Sequence, residues 1–152
     1  MRVVIVAVGR IRAGPERDLV ENYAKRLAWP LEIVEVREKK RLSGDERSSH
    51  EASLLLDAVP DGAVVVALDE AGKAVTSERF AQRMERWRDE GQACIAFLIG
   101  GADGHGPAVT ACADITLSLG AMTWPHQLVR VLLVEQLYRA GSILAGHPYH
   151  RG

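Results

Sequence analysis

The chain has two cysteines in 152 residues, Cys94 and Cys112, too few for a disulfide framework; a single bridge between them is the less favoured reading. Both stand in apolar surroundings (ACIAF and TACAD) and read as small buried hydrophobes of a reducing compartment. Without His or carboxylate neighbours they make no metal site. No charge of one sign dominates either: 19 Lys+Arg against 20 Asp+Glu leave a formal net charge of −1. Such a molecule is not a general binder of polyanions, so any RNA contact needs a local patch. No run reaches membrane-spanning length, and the apolar residues 2–9 are too short and wrongly flanked for a signal peptide. A cytoplasmic protein is expected. Repeats, low-complexity tracts and Ser/Gly linkers are missing, which points to one domain over residues 1–152. The glycine loops match neither G-x-G-x-x-G nor G-x-x-x-x-G-K-[ST], so the standard phosphate loops are poor fits.

What is present alternates. Val3–Val8 is aliphatic and β-branched, and predicts a strand buried on both faces. Gly14-Pro15 opens a helix to about Ala28, with proline at the first helical position, where its missing N–H is harmless. Trp29-Pro30 stops it. Leu31–Val36 predicts a second strand, Arg37–Arg47 a polar basic loop, and Glu46–Val59 a helix ended by the turn Pro60-Asp61-Gly62. Ala63–Leu68 predicts a third strand, closed by Asp69-Glu70-Ala71-Gly72. Thr76 or Ser77 caps a charged helix to about Glu90. Cys94–Ile99 is a fourth strand, Pro107 starts a short helix, and Ile115–Leu119 is a fifth strand. The last helix runs from about His126 to Gly141 or Ala145. Strands separated by helices imply an α/β fold with a parallel-rich sheet and helices on both faces.

Two glycine-rich loops carry the chemistry: Gly100–Gly106 and Leu119–Pro125. Glycines between a strand and a helix let the backbone approach a ligand, and a helix N-terminus favours anions. The same pattern also serves an ordinary tight connection. The second loop is nearly uncharged, which is costly on a surface unless something covers it. An adenine ring, a partner subunit, or both would do so. The final helix is apolar nearly all round, more than a covering helix needs. It is either buried deep or a homodimer face, and with about five strands to hide behind the dimer is favoured. Glu135 and Arg139 form an i,i+4 pair there, whereas Arg130 has no helical partner and is a functional candidate. The tail His147–Arg151 combines imidazoles, a phenol and a guanidinium, which suit RNA phosphates and unstacked bases, although chain ends also fray. Arg37, Lys39, Lys40, Arg41 and Arg47 outweigh the acids of their loop and make it the candidate RNA contact. Arg79, Arg83 and Arg86, interleaved with acids, read as a solvated face.

In combination, LIGG-x-x-G, LSLGAMTWPHQLVR, EQLYRA and the closing HPYHR resemble the small SPOUT-class methyltransferases that modify N3 of a pseudouridine in 23S ribosomal RNA. The opening VVIVAVGRI and the VVVALDEAGK segment fit as well; residues 37–60 match in character alone. The resemblance implies a C-terminal trefoil knot, which connection rules by themselves argue against. It implies S-adenosylmethionine as cofactor and no metal, with contacts from Leu68, Gly100, Leu119, Gly120, Ala121, Met122, Thr123 and Trp124. It implies a homodimer with shared active sites acting on 23S rRNA in the assembled ribosome, away from membranes. Trp124 and His105 depart from the commoner family residues. Methyl transfer from a sulfonium needs alignment in a dry pocket and help in removing the weakly acidic N3 proton. For that proton the tail is the candidate, with His150 or Tyr149 near N3 and Arg151 or Arg130 stabilising developing negative charge. His126, beside the cofactor loop, is the rival base and is equally able to cap its helix. Alternative readings are a SPOUT enzyme acting on tRNA, a non-catalytic nucleotide-binding module, and an RNA-binding scaffold.

Overall fold

The computed structural model describes residues 1–151. Its elements are β1 (Arg2–Val8), α1 (Pro15–Ala24), β2 (Leu31–Val36), α2 (Gly44–Asp57), β3 (Val64–Ala74), α3 (Ser77–Asp89), β4 (Cys94–Ile99), α4 (Pro107–Cys112), β5 (Ile115–Ser118) and α5 (His126–Leu144), followed by a 3-10 turn, Pro148–His150. The five strands form one sheet in the order β2-β1-β4-β3-β5, and every pairing is parallel. This is the α/β architecture the alternating pattern predicts.

Side chains of a strand point alternately to the two faces, so a strand covered on both sides must be apolar throughout. β1 does this: Val3, Ile5 and Ala7 join one core, while Val4, Val6 and Val8 join the other. In β4, Ile95, Phe97 and Ile99 enter the first core and Cys94 and Leu98 the second. The first core is roofed by α1, α3 and α5, the second by α2 and α4. Thr76 caps α3, its hydroxyl accepting from the Arg79 N–H at 3.2 Å.

Helix α5 corrects an expectation. Its apolar circumference is used inside the protomer: Val131, Leu133, Val134, Leu137 and Ala140 are buried between the sheet, α1 and α3. Full burial of one such leucine is worth about 1.5–3 kcal/mol. The helix is a central core element of the protomer, with Val129 and Leu132 only partly buried. Exposed apolar surface remains at Leu128 in its first turn, at 36% exposure, and at Met122 and Trp124 in the loop before it, at 75% and 43%.

Two smaller readings also change. Asp69–Gly72 does not close β3; the strand continues to Ala74, because after an irregularity Lys73 and Ala74 pair again with Leu117 and Ser118 of β5. Cys94 is buried, but Cys112 is exposed, on the outer side of the last turn of the short helix α4.

Candidate active site

In open parallel sheets, ligands gather at the carboxyl ends of the strands. Two adjoining cavities lie there. One, of about 800 Å³, sits over β3, β4 and β5 and is lined by Leu68 to Glu70, Ile99 to His105, Leu117, Leu119, Gly120, Met122 to His126, and Val129. Its size is that of a small-molecule site. Every cofactor candidate except Ala121 lines it, and Ala121 belongs to the same loop.

The second loop is fixed at its ends and free in its middle. The Ser118 hydroxyl donates to the Gly120 carbonyl at 2.8 Å and accepts from the Gly120 N–H at 3.1 Å. Thr123 Oγ1 donates to Glu70 Oε2 at 2.7 Å. Between these ties, the main chain of Ala121 to Trp124 makes no hydrogen bond with the other described residues. Its amides and carbonyls are therefore available to a ligand. Across the cavity, His105 Nε2 lies 3.1 Å from the Leu98 carbonyl and so carries the hydrogen, while Nδ1 is buried with no partner. Burial holds this imidazole below its usual pKa, leaving Nδ1 a neutral acceptor without a donor. A buried orphan acceptor, an unpaired backbone and a pocket of nucleoside size fit an adenosyl group.

The other cavity, about 1030 Å³, covers the ends of β1 and β2 and is strongly basic. Arg37, Lys39, Lys40, Arg41 and Arg47 line it, as the basic loop suggests, and the structure adds Arg10, Arg12 and Arg17. Arg10 and Arg12 follow β1 directly, in the segment GRIRAG. Distance in sequence hides that they face the 37–41 loop.

Arg130 and His126 stand between the cavities, one turn apart on α5. Arg130 is 1% exposed. Its guanidinium donates to Glu35 Oε2 at 2.6 Å and to the carbonyls of Gly9 and Val8 at 2.6 and 3.2 Å. Glu35 Oε2 also accepts from the Ile11 N–H at 2.6 Å. Arg130 thus ties α5 to the ends of β1 and β2 and shapes the loop that carries Arg10 and Arg12. His126 does not cap its helix: Pro125 holds the cap position and no side chain bonds there. A residue already inside the first turn cannot take the cap's geometry. The ring lines the cofactor-sized pocket instead, and a Cβ built on Gly9, in the basic cleft, would lie 3.7 Å from its Nε2. Burial, then the charge of Arg130, lowers its pKa, so the imidazole is neutral at neutral pH.

The tail lies elsewhere. Tyr149 Oη meets Tyr23 Oη and Glu135 Oε1, each at 3.1 Å, and its ring packs edge-on against Tyr138. His150 Nδ1 lies 2.6 Å from the His147 carbonyl. Neither Tyr149, His150 nor Arg151 lines either cavity of its own chain. Burial, the Tyr23 hydroxyl and the Glu135 carboxylate push the Tyr149 phenol far above its usual pKa. Glu135 pairs with Arg139 at 2.6 Å, as the spacing predicts. Among the described residues no group of three His, Cys, Asp or Glu could hold a metal, and no helix is long and apolar enough to cross a membrane.

The family described as Predicted SPOUT methyltransferase matches residues 1–150. A protein of Rhodospirillum centenum named Ribosomal RNA large subunit methyltransferase H is 58% identical over 151 residues, covering 99% of each chain. The protein of that name from Paramagnetospirillum magneticum is equally similar, at 58% and 99% of each chain. Among solved structures, a probable methyltransferase of Bordetella pertussis shares the fold with a TM-score of 0.62 at 14% identity, over 91% of this chain and 95% of that one. A Legionella pneumophila methyltransferase solved with bound SAM has a TM-score of 0.51 at 15% identity, over 93% and 67%. With a full-length family match and relatives this similar over nearly every residue, the chain belongs to the SPOUT methyltransferase family.

Proposed function

We propose that this protein transfers a methyl group from S-adenosylmethionine to large-subunit ribosomal RNA, at N3 of a pseudouridine of 23S rRNA in the assembled ribosome. One observation carries the proposal: a cofactor-sized pocket of unpaired main chain opens beside a cleft of cations, with a neutral imidazole between them. The full-length relatives named Ribosomal RNA large subunit methyltransferase H support the substrate.

When bound, S-adenosylmethionine supplies an electrophilic methyl on a sulfonium. Leu68, Gly100 and the loop Leu119, Gly120, Ala121, Met122, Thr123 and Trp124 would hold it, through main-chain amides and carbonyls and apolar cover. Arg37, Lys39, Lys40 and Arg41 hold the RNA strand through its phosphates. His126 accepts the N3 proton, and Arg130 fixes the wall in which His126 stands. The active unit is a cytoplasmic homodimer in which the partner's Tyr149, His150 and Arg151 close over the target. The apolar residues exposed at the pocket rim and the remoteness of the tail from its own pocket support this arrangement. Threading of the C-terminal third into a trefoil knot belongs to the same proposal.

The test is methylation of ribosomes from cells lacking the gene. One methyl at a pseudouridine N3 of 23S rRNA, found by mass spectrometry, is the expected product. Methyl in tRNA alone, or none, overturns the substrate. Calorimetry should show S-adenosylhomocysteine binding where ATP and NAD do not bind; the reverse order identifies a nucleotide-binding module. A double charge reversal, Lys39→Glu with Arg41→Glu, is expected to raise the KM for ribosomes roughly tenfold. It should also flatten the salt dependence by about one unit for each phosphate no longer neutralised. Affinity for S-adenosylhomocysteine should stay at the wild-type value. Equal loss of both would make the loop structural.

A further inference from the structure

Helix α2 turns an unexpected residue to the core. Its buried face consists of Glu51, Ala52 and Leu55, and Glu51 is 7% exposed. A carboxyl group on the core side of a helix is costly unless something there needs it. Ser48 lies one turn earlier on the same side. Both side chains press on the first glycine loop. A Cβ on Gly101 would lie 2.5 Å from Glu51 Oε2 and 3.1 Å from Val8 Cγ1, and one on Gly106 would lie 3.2 Å from Ser48 Oγ. Gly101 is not among the glycines with positive φ, so its backbone would accept a side chain. Glu51 Oε2, and then Val8, are what such a side chain would meet, and the carboxylate would have to shift to admit it.

The carboxyl group is also electrostatically unusual. Glu51 Oε2 is buried without a hydrogen-bond partner. Burial and then the neighbouring Asp103 push its pKa up; Arg47 opposes them, Glu38 adds to the rise, and the Gly101 backbone opposes it. Arg47 and Asp103 are themselves paired at 3.5 Å. Glu51 borders the basic cleft, while Gly101 and Asp103 border the cofactor-sized pocket. The side chain is the partition between the two.

We propose that Glu51 is a positioning residue: together with Ser48 it forms the seat on which Gly101–Gly106 rests, and so sets the loop geometry that receives S-adenosylmethionine. This rests on the reading of that loop as part of the cofactor site. Glu51 takes no part in the methyl transfer itself; it acts through Gly101. Shortening it lets the loop settle into the vacated space. Adding a methyl at Gly101 lifts the loop off its seat, unless Glu51 is shortened as well.

The experiment is calorimetry with S-adenosylhomocysteine on the full chain and on Glu51→Ala, Glu51→Gln, Gly101→Ala and the double variant Glu51→Ala/Gly101→Ala, each also unfolded in urea. Glu51→Ala is expected to weaken binding about tenfold, and Glu51→Gln, which keeps the shape, by less than about threefold. Gly101→Ala should weaken it by about tenfold or more, and the double variant should bind more tightly than Gly101→Ala alone. In turnover, the KM for cofactor rises in Glu51→Ala while the KM for ribosomes does not. A carboxyl that merely stabilised the fold would move the urea midpoint without that recovery. Wild-type affinity in Glu51→Ala, or no recovery in the double variant, overturns the proposal. Should Glu51→Ala not fold, Glu51→Ser carries the same comparison. Wild-type affinity in Gly101→Ala would instead remove the loop from the cofactor site, which is a different failure.

Discussion

Arg130→Leu is expected to destabilise the protein by about 1–3 kcal/mol, the cost of leaving buried acceptors without their donor; Glu35, its ion-pair partner, is a third exposed and can be solvated instead. Such a loss is a large share of a domain's whole stability. The guanidinium is buried and donates to Glu35 and to the carbonyls of Val8 and Gly9. A leucine fills part of the volume but takes this donor from the Val8 and Gly9 carbonyls, and leaves Glu35 with the Ile11 N–H alone. Lysine is a weak rescue, because a point charge cannot span three acceptors as a planar fork does. Burial raises the Glu35 pKa, but the Arg130 hydrogen bond, the Ile11 N–H and the charges of Arg130 and Arg10 outweigh it, and the net shift is downward. A carboxyl with a depressed folded pKa contributes stability above its unfolded value and loses it as pH falls through the folded one. The deficit of Arg130→Leu should therefore be full at neutral pH and shrink in acid. Urea unfolding at both pH values measures this. A wild-type midpoint at neutral pH would mean that the tie between α5 and the strand ends carries no weight.

The fold was legible because its signals are local. Val3–Val8 and Cys94–Ile99 are apolar at every position, as a strand covered on both faces must be, and the prolines at 15 and 107 stand where helices begin. The continuation of β3 to Ala74 was not legible, since it depends on pairing with β5 some forty residues on. Helix α5 misleads for a related reason. An apolar circumference does not say whether the cover comes from the same chain, and here α1 and α3 supply it.

The site divides in the same way. Every cofactor candidate but Leu68 lies in one of two loops, and the geometry brings all but Ala121 to one pocket. Arg10, Arg12, Glu35 and Glu51 carry no signal in the sequence, because each matters through a residue far away along the chain: the 37–41 loop, Arg130 or Gly101. Arg130 stands out in the sequence for lacking a helical partner. Its partners are strand ends, where helix spacing cannot find them.

His126→Ala is expected to lower kcat about 10²- to 10⁴-fold, the range for a lost general base, and to change S-adenosylhomocysteine affinity by less than about threefold. The imidazole stands in the wall between the cofactor-sized pocket and the basic cleft, where a base held by the cleft would meet the methyl donor. It must be neutral to accept a proton, and burial together with Arg130 keeps it so by lowering its pKa. Wild-type kcat should therefore stay level through neutrality and fall on the acid side below the ordinary imidazole value of about 6.5; His126→Ala should lack that limb. Tyr149→Phe and His150→Ala provide the comparison. The Tyr149 phenol, with its raised pKa, remains protonated at neutral pH and donates a hydrogen bond rather than taking a proton. Its loss should raise the KM for ribosomes more than it lowers kcat. Wild-type kcat in His126→Ala beside a large loss in His150→Ala would move the proton transfer from α5 to the C-terminal tail.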